Sequence, residues 1–299
     1  MEGLRRSIRI ALRALRRTPT LTASVVLTLA LCIGGTAAVF GAVYAVLFRP
    51  LPWAQPEGVL IVRELWRGHV GAMSVGNWAD LRRRDRLFEH LVPAYPQQLN
   101  LAGSDQPENV AAARVGAEFF QLLGVGPALG RTFAADEDTP GRDQVVVLSD
   151  RLWRRRFGAD RTVIGREVRL DGRPATVIGV MPASLDFTLL NEQLWVPTAF
   201  RPEQLAQHDE HYLTVLGRLR PGVTTVEAQT ELADIGRELQ QAYPRENQER
   251  SLGASSLMEE LVQDYRPRLF VLLGAVGFVL LIACANIANL LLAQGAACE

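Results

Sequence analysis

The sequence predicts a membrane protein in which two transmembrane α-helices flank a single α+β extracytoplasmic domain. Three observations lead there. No charge interrupts Leu21–Phe48, and a helix of that length would be roughly 42 Å long, beyond the roughly 30 Å of a hydrocarbon core. A second apolar run, Leu269–Ala293, stands near the other end. Between them, residues 49–268 mix short strand patterns with amphipathic helix patterns and show no regular βα alternation, which is the signature of an α+β domain.

Residues 1–20 form the cytoplasmic flank. Leu4, Ile8, Leu12 and Leu15 fall on one side of a predicted helix over Leu4–Arg17, and Arg5, Arg6, Arg9, Arg13, Arg16 and Arg17 fill the other. The segment reads either as a helix lying on an anionic bilayer surface or as a topogenic positive flank, and both readings keep it in the cytoplasm. Transmembrane helix 1 spans 21–48. It is too long for the apolar core of a cleaved signal, and Leu31 is large where a lipoprotein cleavage site before Cys32 needs a small residue. Ala37, Gly41 and Ala45 recur every fourth residue, a small ridge against which another helix can pack.

In the domain, Val59–Val62 is a predicted strand. Ser74 caps a helix that sets Val75, Trp78, Leu81 and Phe88 on one side, with the run Arg82-Arg83-Arg84-Asp85-Arg86 as its solvated face. Ala117–Leu123 is a helix ended by Gly124. Strands follow at Val145–Leu148, Glu167–Leu170, Thr176–Met181 and Leu194–Val196, the second and third joined by an Asp171-Gly172 hairpin turn. Tyr212–Leu219 is a strand turned by Arg220-Pro221-Gly222. Thr224 and Glu227 make a capping box for a helix with Ala228, Leu232, Ile235 and Leu239 on its buried face, stopped at Tyr243-Pro244. Met258–Tyr265 is a helical stalk that enters the second span through Arg266-Pro267-Arg268.

The chemistry is mostly defined by exclusion. The chain balances 32 basic against 32 acidic residues, and every basic residue is arginine. Without lysine there is no Walker A loop and no Schiff base in this sequence. No basic tract outside the first twenty residues points to nucleic acid. Cys32 and Cys284 lie in the apolar runs and Cys298 at the end, so there is neither a disulfide framework nor a CxxC metal pair. His208-Asp209-Glu210-His211 is the best metal candidate, but it lacks a third ligand, and an exposed polar loop is the preferred reading. Asp136, Asp138 and Gly141 imitate the start of a calcium loop that Pro140 and Val147 break. Asn286 and Asn289, amides in the second span, are expected to bond a neighbouring helix. No catalytic, cofactor-binding or metal residue is assigned.

Several stretches, in order, carry a resemblance: MSVGNWADLRRRDRLFEHL at 73–91, AEFFQLLGVGPALGRTF at 117–133, VVVLSDRLWRRRFGAD at 145–160, VIGREVRLDGRPATVIGVMP at 163–182, LWVP at 194–197, LGRLRPGVTTVEAQTEL at 216–232 and CANIANLLLA at 284–293. Together they resemble the periplasmic core domain of MacB/FtsX-type ABC transporter permeases. The resemblance implies a porter-like subdomain at 50–129 and 206–257, a β-rich insertion at 130–205, a stalk at 258–268, transmembrane helix 2 at 269–294 and a cytoplasmic tail at 295–299. It implies an inner-membrane permease subunit, non-catalytic, driven by a separate ABC ATPase subunit and exporting antibiotics, peptides or lipoproteins. A permease homodimer and a periplasmic or outer-membrane partner are further implications. Such permeases have at least four spans, so the sequence predicts a chain truncated after its second. The alternatives are a membrane-anchored sensor or binding module and an FtsX-like regulator of a cell-wall enzyme.

Overall fold

The computed structural model describes residues 19–47, 58–103, 106–185, 192–263 and 266–296, with side chains described for only part of the two terminal helices. The predicted helix Leu4–Arg17 and the side chains of Ala45, Asn286 and Asn289 lie outside the described residues. The chain divides into two compact units, one of the terminal segments and one of Pro50–Leu261.

The terminal unit holds helix α1 (Pro19–Leu47) and helix α8 (Arg266–Ala296), 29 and 31 residues long, which lie side by side. Val26, Leu27, Ile33 and Phe40 on the first, and Phe270, Val271, Phe278 and Leu281 on the second, are exposed. Over the described residues no helix is long and apolar enough to cross a membrane.

The larger unit is built on a 12-stranded sheet. Its strands are β1 (Val59–Trp66), β2 (His69–Gly71), β3 (Met73–Ser74), β4 (Phe88–Ala102), β5 (Glu108–Val115), β6 (Leu129–Gly130), β7 (Val145–Leu148), β8 (Glu167–Leu170), β9 (Arg173–Val180), β10 (Leu194–Pro197), β11 (His211–Leu219) and β12 (Arg250–Ser256). The main path runs β12-β1-β11-β4-β5-β10-β7-β9-β6. It is antiparallel except where β10 joins β5 and β7 joins β9. The sheet runs without a break past residues 130 and 205.

Helices α2 (Val75–Arg84), α3 (Phe119–Leu123), α4 (Asp150–Phe157), α5 (Pro202–Leu205) and α6 (Thr225–Ala242) lie between strands, and α7 (Leu257–Gln263) follows the last of them. The caps explain their starts. The Ser74 and Ser149 hydroxyls accept from Asn77 N and Leu152 N, and Thr224 and Glu227 form the predicted box. Gly124 and Gly158 end α3 and α4 in the left-handed conformation. Asp171 and Gly172 both have positive φ, the type I′ geometry of a two-residue hairpin.

One predicted helix is shorter than expected. Asp85 is extended, and its carboxylate accepts from the backbone N–H groups of Leu87 and Phe88. The chain therefore turns, and Phe88 opens β4 instead of extending α2. It still packs in the core with Trp78 and Leu81.

Alternate residues of β1 feed cores on opposite faces of the sheet. Leu60 and Val62 pack under α2 and α6 with Leu232, Ile235 and Leu239. Val59 and Ile61 pack with Phe119, Phe120, Phe133 and Trp195. A third core, with Leu99, Leu101, Val110, Leu148, Val177 and Leu194, lies further along β4 and β5. Helix α6 lies against the terminal strand β12. A Cβ added at Gly236 would meet Leu252 N at 2.8 Å, and the Gln229 amide donates to the Ala254 carbonyl. Side chains from α6 thus partner an otherwise open strand.

Candidate functional site

The two histidines singled out in the sequence are neither exposed nor convergent. His208 is buried, with its Nδ1 3.0 Å from the Ala206 carbonyl and its ring stacked on Tyr243 at 3.6 Å between centroids. Its Nε2 lies 3.5 Å from Asp80 Oδ2. Gly76 makes this approach possible, because a Cβ there would stand 2.8 Å from the His208 ring. His211, in β11, faces a different carboxylate, with Nδ1 2.9 Å from Glu64 Oε2. The exposed-loop reading fits Asp209 and Glu210 but not the two histidines, since each ring packs against its own buried acid. Among the described residues no group of three His, Cys, Asp or Glu side chains is placed to hold a metal ion.

Glu64 is a hub. Its Oε1 accepts from Ser74 N at 3.1 Å and Asn77 Nδ2 at 2.8 Å, and its Oε2 from Arg250 Nη1 at 3.2 Å. Asn77 and Asn247 exchange hydrogen bonds at 2.7 and 3.1 Å, and Asn247 reaches the Leu239 carbonyl. One carboxylate, 1% exposed, thus joins β1, the start of α2, β11 and β12. Burial acts to raise the Glu64 pKa, but hydrogen bonds from His211 and Asn77 outweigh it and hold the carboxyl below its ordinary value. Asp80 is likewise lowered. Burial opposes ionisation there, and a hydrogen bond from Tyr243 with the charges of Arg83 and Arg84 overcomes it. Sequence reading missed this cluster because its members are scattered from position 64 to 250. The only local signal was acid and amide residues on the apolar face of α2.

The broken calcium motif is structural. Asp138 Oδ1 accepts from Thr198 Oγ1 at 2.6 Å and Ala199 N at 2.8 Å, and Oδ2 from Ala117 N at 3.3 Å. Its oxygens are engaged in tying a short 3₁₀ turn, Ala135–Asp138, to the entrance of α3 and the exit of β10.

The arrangement with the clearest mechanical content lies where the chain enters and leaves the sheet. β1 and β12 are antiparallel neighbours, with Leu60 opposite Ser256, so the first residues of β1 and the last of β12 share one end of the sheet. Immediately after β12 comes α7. Its Leu257 is buried in the Phe119–Trp195 core. Its Glu260 pairs through Oε2 with Arg63 Nη2 at 3.0 Å and accepts the Ser255 hydroxyl through Oε1 at 2.8 Å. Beside this pair is an open groove of about 310 Å³, lined by Ile61, Leu65, Val70, Gly253 and these polar residues. The site clamps the start of a helix to a sheet.

Comparison with known proteins is consistent with this geometry. A family model described as MacB-like periplasmic core domain matches residues 22–235. The macrolide export ATP-binding/permease protein MacB of Burkholderia pseudomallei is 30% identical over 154 residues, 50% of this chain and 23% of that protein. Its counterpart in Escherichia coli K12 is 29% identical over 146 residues, 48% of this chain and 22% of that protein. The chain thus matches about a quarter of the length of these curated relatives. A domain of a Porphyromonas gingivalis permease protein superposes with a TM-score of 0.53 at 18% identity, covering 69% of this chain and 93% of that one. The periplasmic region of MacB from Actinobacillus actinomycetemcomitans gives 0.50 at 15% identity, covering 70% and 92%. Both likenesses concern the fold.

Proposed function

This chain belongs to the family of MacB-like periplasmic core domains, and from that premise we propose that it is the permease portion of an ABC transporter that works on the outer side of the inner membrane. The apolar segments 21–48 and 269–294 of the sequence cross the bilayer, the N-terminal arginines stay in the cytoplasm, and residues 49–268 stand outside. An ABC ATPase outside these 299 residues supplies the energy, since they hold no lysine for a Walker A loop. Two copies form the permease, and a periplasmic or outer-membrane protein receives the cargo. Antibiotics, peptides and lipoproteins are the substrate classes. The division into a porter-like part (50–129 and 206–257) and a β-rich insertion (130–205) is part of the same proposal. Within it the stalk, 258–268, carries motion between helix and domain.

The observation that carries the reading is the family match over residues 22–235. The junction at β1, β12 and α7 supports it, because a domain with both connections at one end of its sheet is suited to being moved by the helices that follow. Two experiments test it. Alkaline phosphatase fused after Gly103 is expected to be active in bacterial cells, and inactive fusions would contradict an outward-facing domain. Purification of the tagged chain from its native membrane is expected to bring an ATPase carrying a Walker A motif. Repeated recovery without such a partner would sink the transporter assignment.

A further inference from the structure

The Arg63–Glu260 pair is incompletely made. Arg63 uses Nη2 on Glu260, while its Nε is buried with no hydrogen-bond partner among the described residues. A buried donor left unpaired is costly, and such a group in a folded protein calls for an explanation. Guanidinium and carboxylate groups pair best side by side, through two parallel N–H···O bonds. The second bond is not made here, and the other oxygen of Glu260 accepts from the Ser255 hydroxyl at 2.8 Å. Ser255 and Arg63 lie on neighbouring strands, β12 and β1, where Ser255 stands opposite Ile61. The two strands therefore compete for one carboxylate.

We propose that Glu260 is the moving part of a two-position latch, in which its Oε1 exchanges the Ser255 hydroxyl for the Arg63 Nε–H. The inference rests on the stalk reading above and specifies its regulation. In the observed position α7 is shared between β1 and β12. In the second, Glu260 grips Arg63 by Nε and Nη2 together, and α7 is drawn onto β1. Leu257, buried in the core one helical turn before Glu260, is the pivot. The open groove bordered by Arg63, Ser255 and Glu260 supplies the room. No proton is transferred and no bond other than hydrogen bonds is exchanged. Each position satisfies a polar group that the other leaves wanting, as a two-state element requires.

The test uses the 299-residue chain in detergent micelles, with two readouts: the Arg63 Nε–H resonance in arginine-labelled protein, and amide hydrogen exchange over residues 257–263. Ser255→Ala removes the competitor. It is expected to slow exchange of the Arg63 Nε–H by about tenfold, as one added charge-assisted hydrogen bond would, and to leave α7 at least as protected as in the parent. Ser255→Thr, which keeps the hydroxyl, is expected to restore parent behaviour. Glu260→Gln is expected to lose both the slow Nε–H and the protection of α7. The latch is overturned if Ser255→Ala leaves the Arg63 resonance unchanged, or if it exposes α7 as Glu260→Gln does, because Ser255 would then be only a support. Either result leaves the permease reading standing, since that depends on the phosphatase fusions and the ATPase partner.

Discussion

At the scale of single residues, the buried carboxylates decide most. Glu64 ties four elements and is held below its ordinary pKa, as is Asp80. A depressed carboxyl contributes stability that is present above its unfolded value, near 4, and lost as the pH falls through its folded value. Glu64→Gln is therefore expected to cost about 3 kcal/mol at neutral pH, the order found when one partner of a buried pair is removed. In urea titrations the parent and the variant should converge as the pH falls below the ordinary carboxylate range, and a difference that stays constant through that fall would deny Glu64 the role. A second residue-scale expectation concerns Gly179, which pairs with Gly130 across β9 and β6. A Cβ there would stand 2.1 Å from the Arg131 carbonyl oxygen, so Gly179→Ala should lose roughly 3 kcal/mol or more by overpacking, seen as a fall in Tm. Little of this was legible in the sequence. The His208–His211 spacing suggested a shared ligand, but β11 begins at His211 and directs the two rings to separate acids. Glu64 and Arg250 meet only because β1 and β12 pair.

Secondary-structure elements were more legible where capping or turn chemistry was local. Ser74, Thr224, Gly124 and Asp171-Gly172 each fixed a boundary through neighbours within a few positions. Strand β4 was not legible, because Pro93 and Pro96 argue against a central strand. Its neighbours explain how they fit. Ala94 is the last β4 residue paired with β11 and the first paired with β5. The Pro93 carbonyl points toward β5 and accepts from Gly116 N, so its missing N–H falls where the β5 ladder ends. Pro96 faces the other way, past the last rung between β4 and β11, Ala94 opposite Thr214. Strand β12 was hidden for another reason: Ser, Gly and Ala carry little strand preference, and its pairing with β1 is wholly non-local. Helix α6 depends on Gly236 for its approach to that strand. Gly236→Ala would gain up to about 1 kcal/mol in helix propensity. Contact with Leu252 N at 2.8 Å is expected to cost ~1–3 kcal/mol, so the variant should be less stable by denaturant titration. A more stable variant would mean that α6 can back away from β12 freely.

For the molecule as a whole, the class of domain was readable because seven separate motifs occur in order, and the family match and the related folds agree with it. The extent of the sheet was not readable, because β10 joins β5 in parallel across more than seventy intervening residues and β8 joins both β4 and β9. The entry and exit strands also fix how the domain responds to force. Their register runs from Leu60 opposite Ser256 to Trp66 opposite Arg250. Tension that draws the two connections apart acts on one end of an antiparallel pair, so the ladder peels open one rung at a time. It does not resist as a set of bonds loaded together. Single-molecule pulling through Gly58 and Leu257 should accordingly open the domain at lower force than pulling through Gly58 and Gly172, and equal forces would refute peeling. The first rungs to part, beside Ser255 and Ile61, adjoin the Arg63–Glu260 pair, so the domain yields first at the junction where its two connections meet.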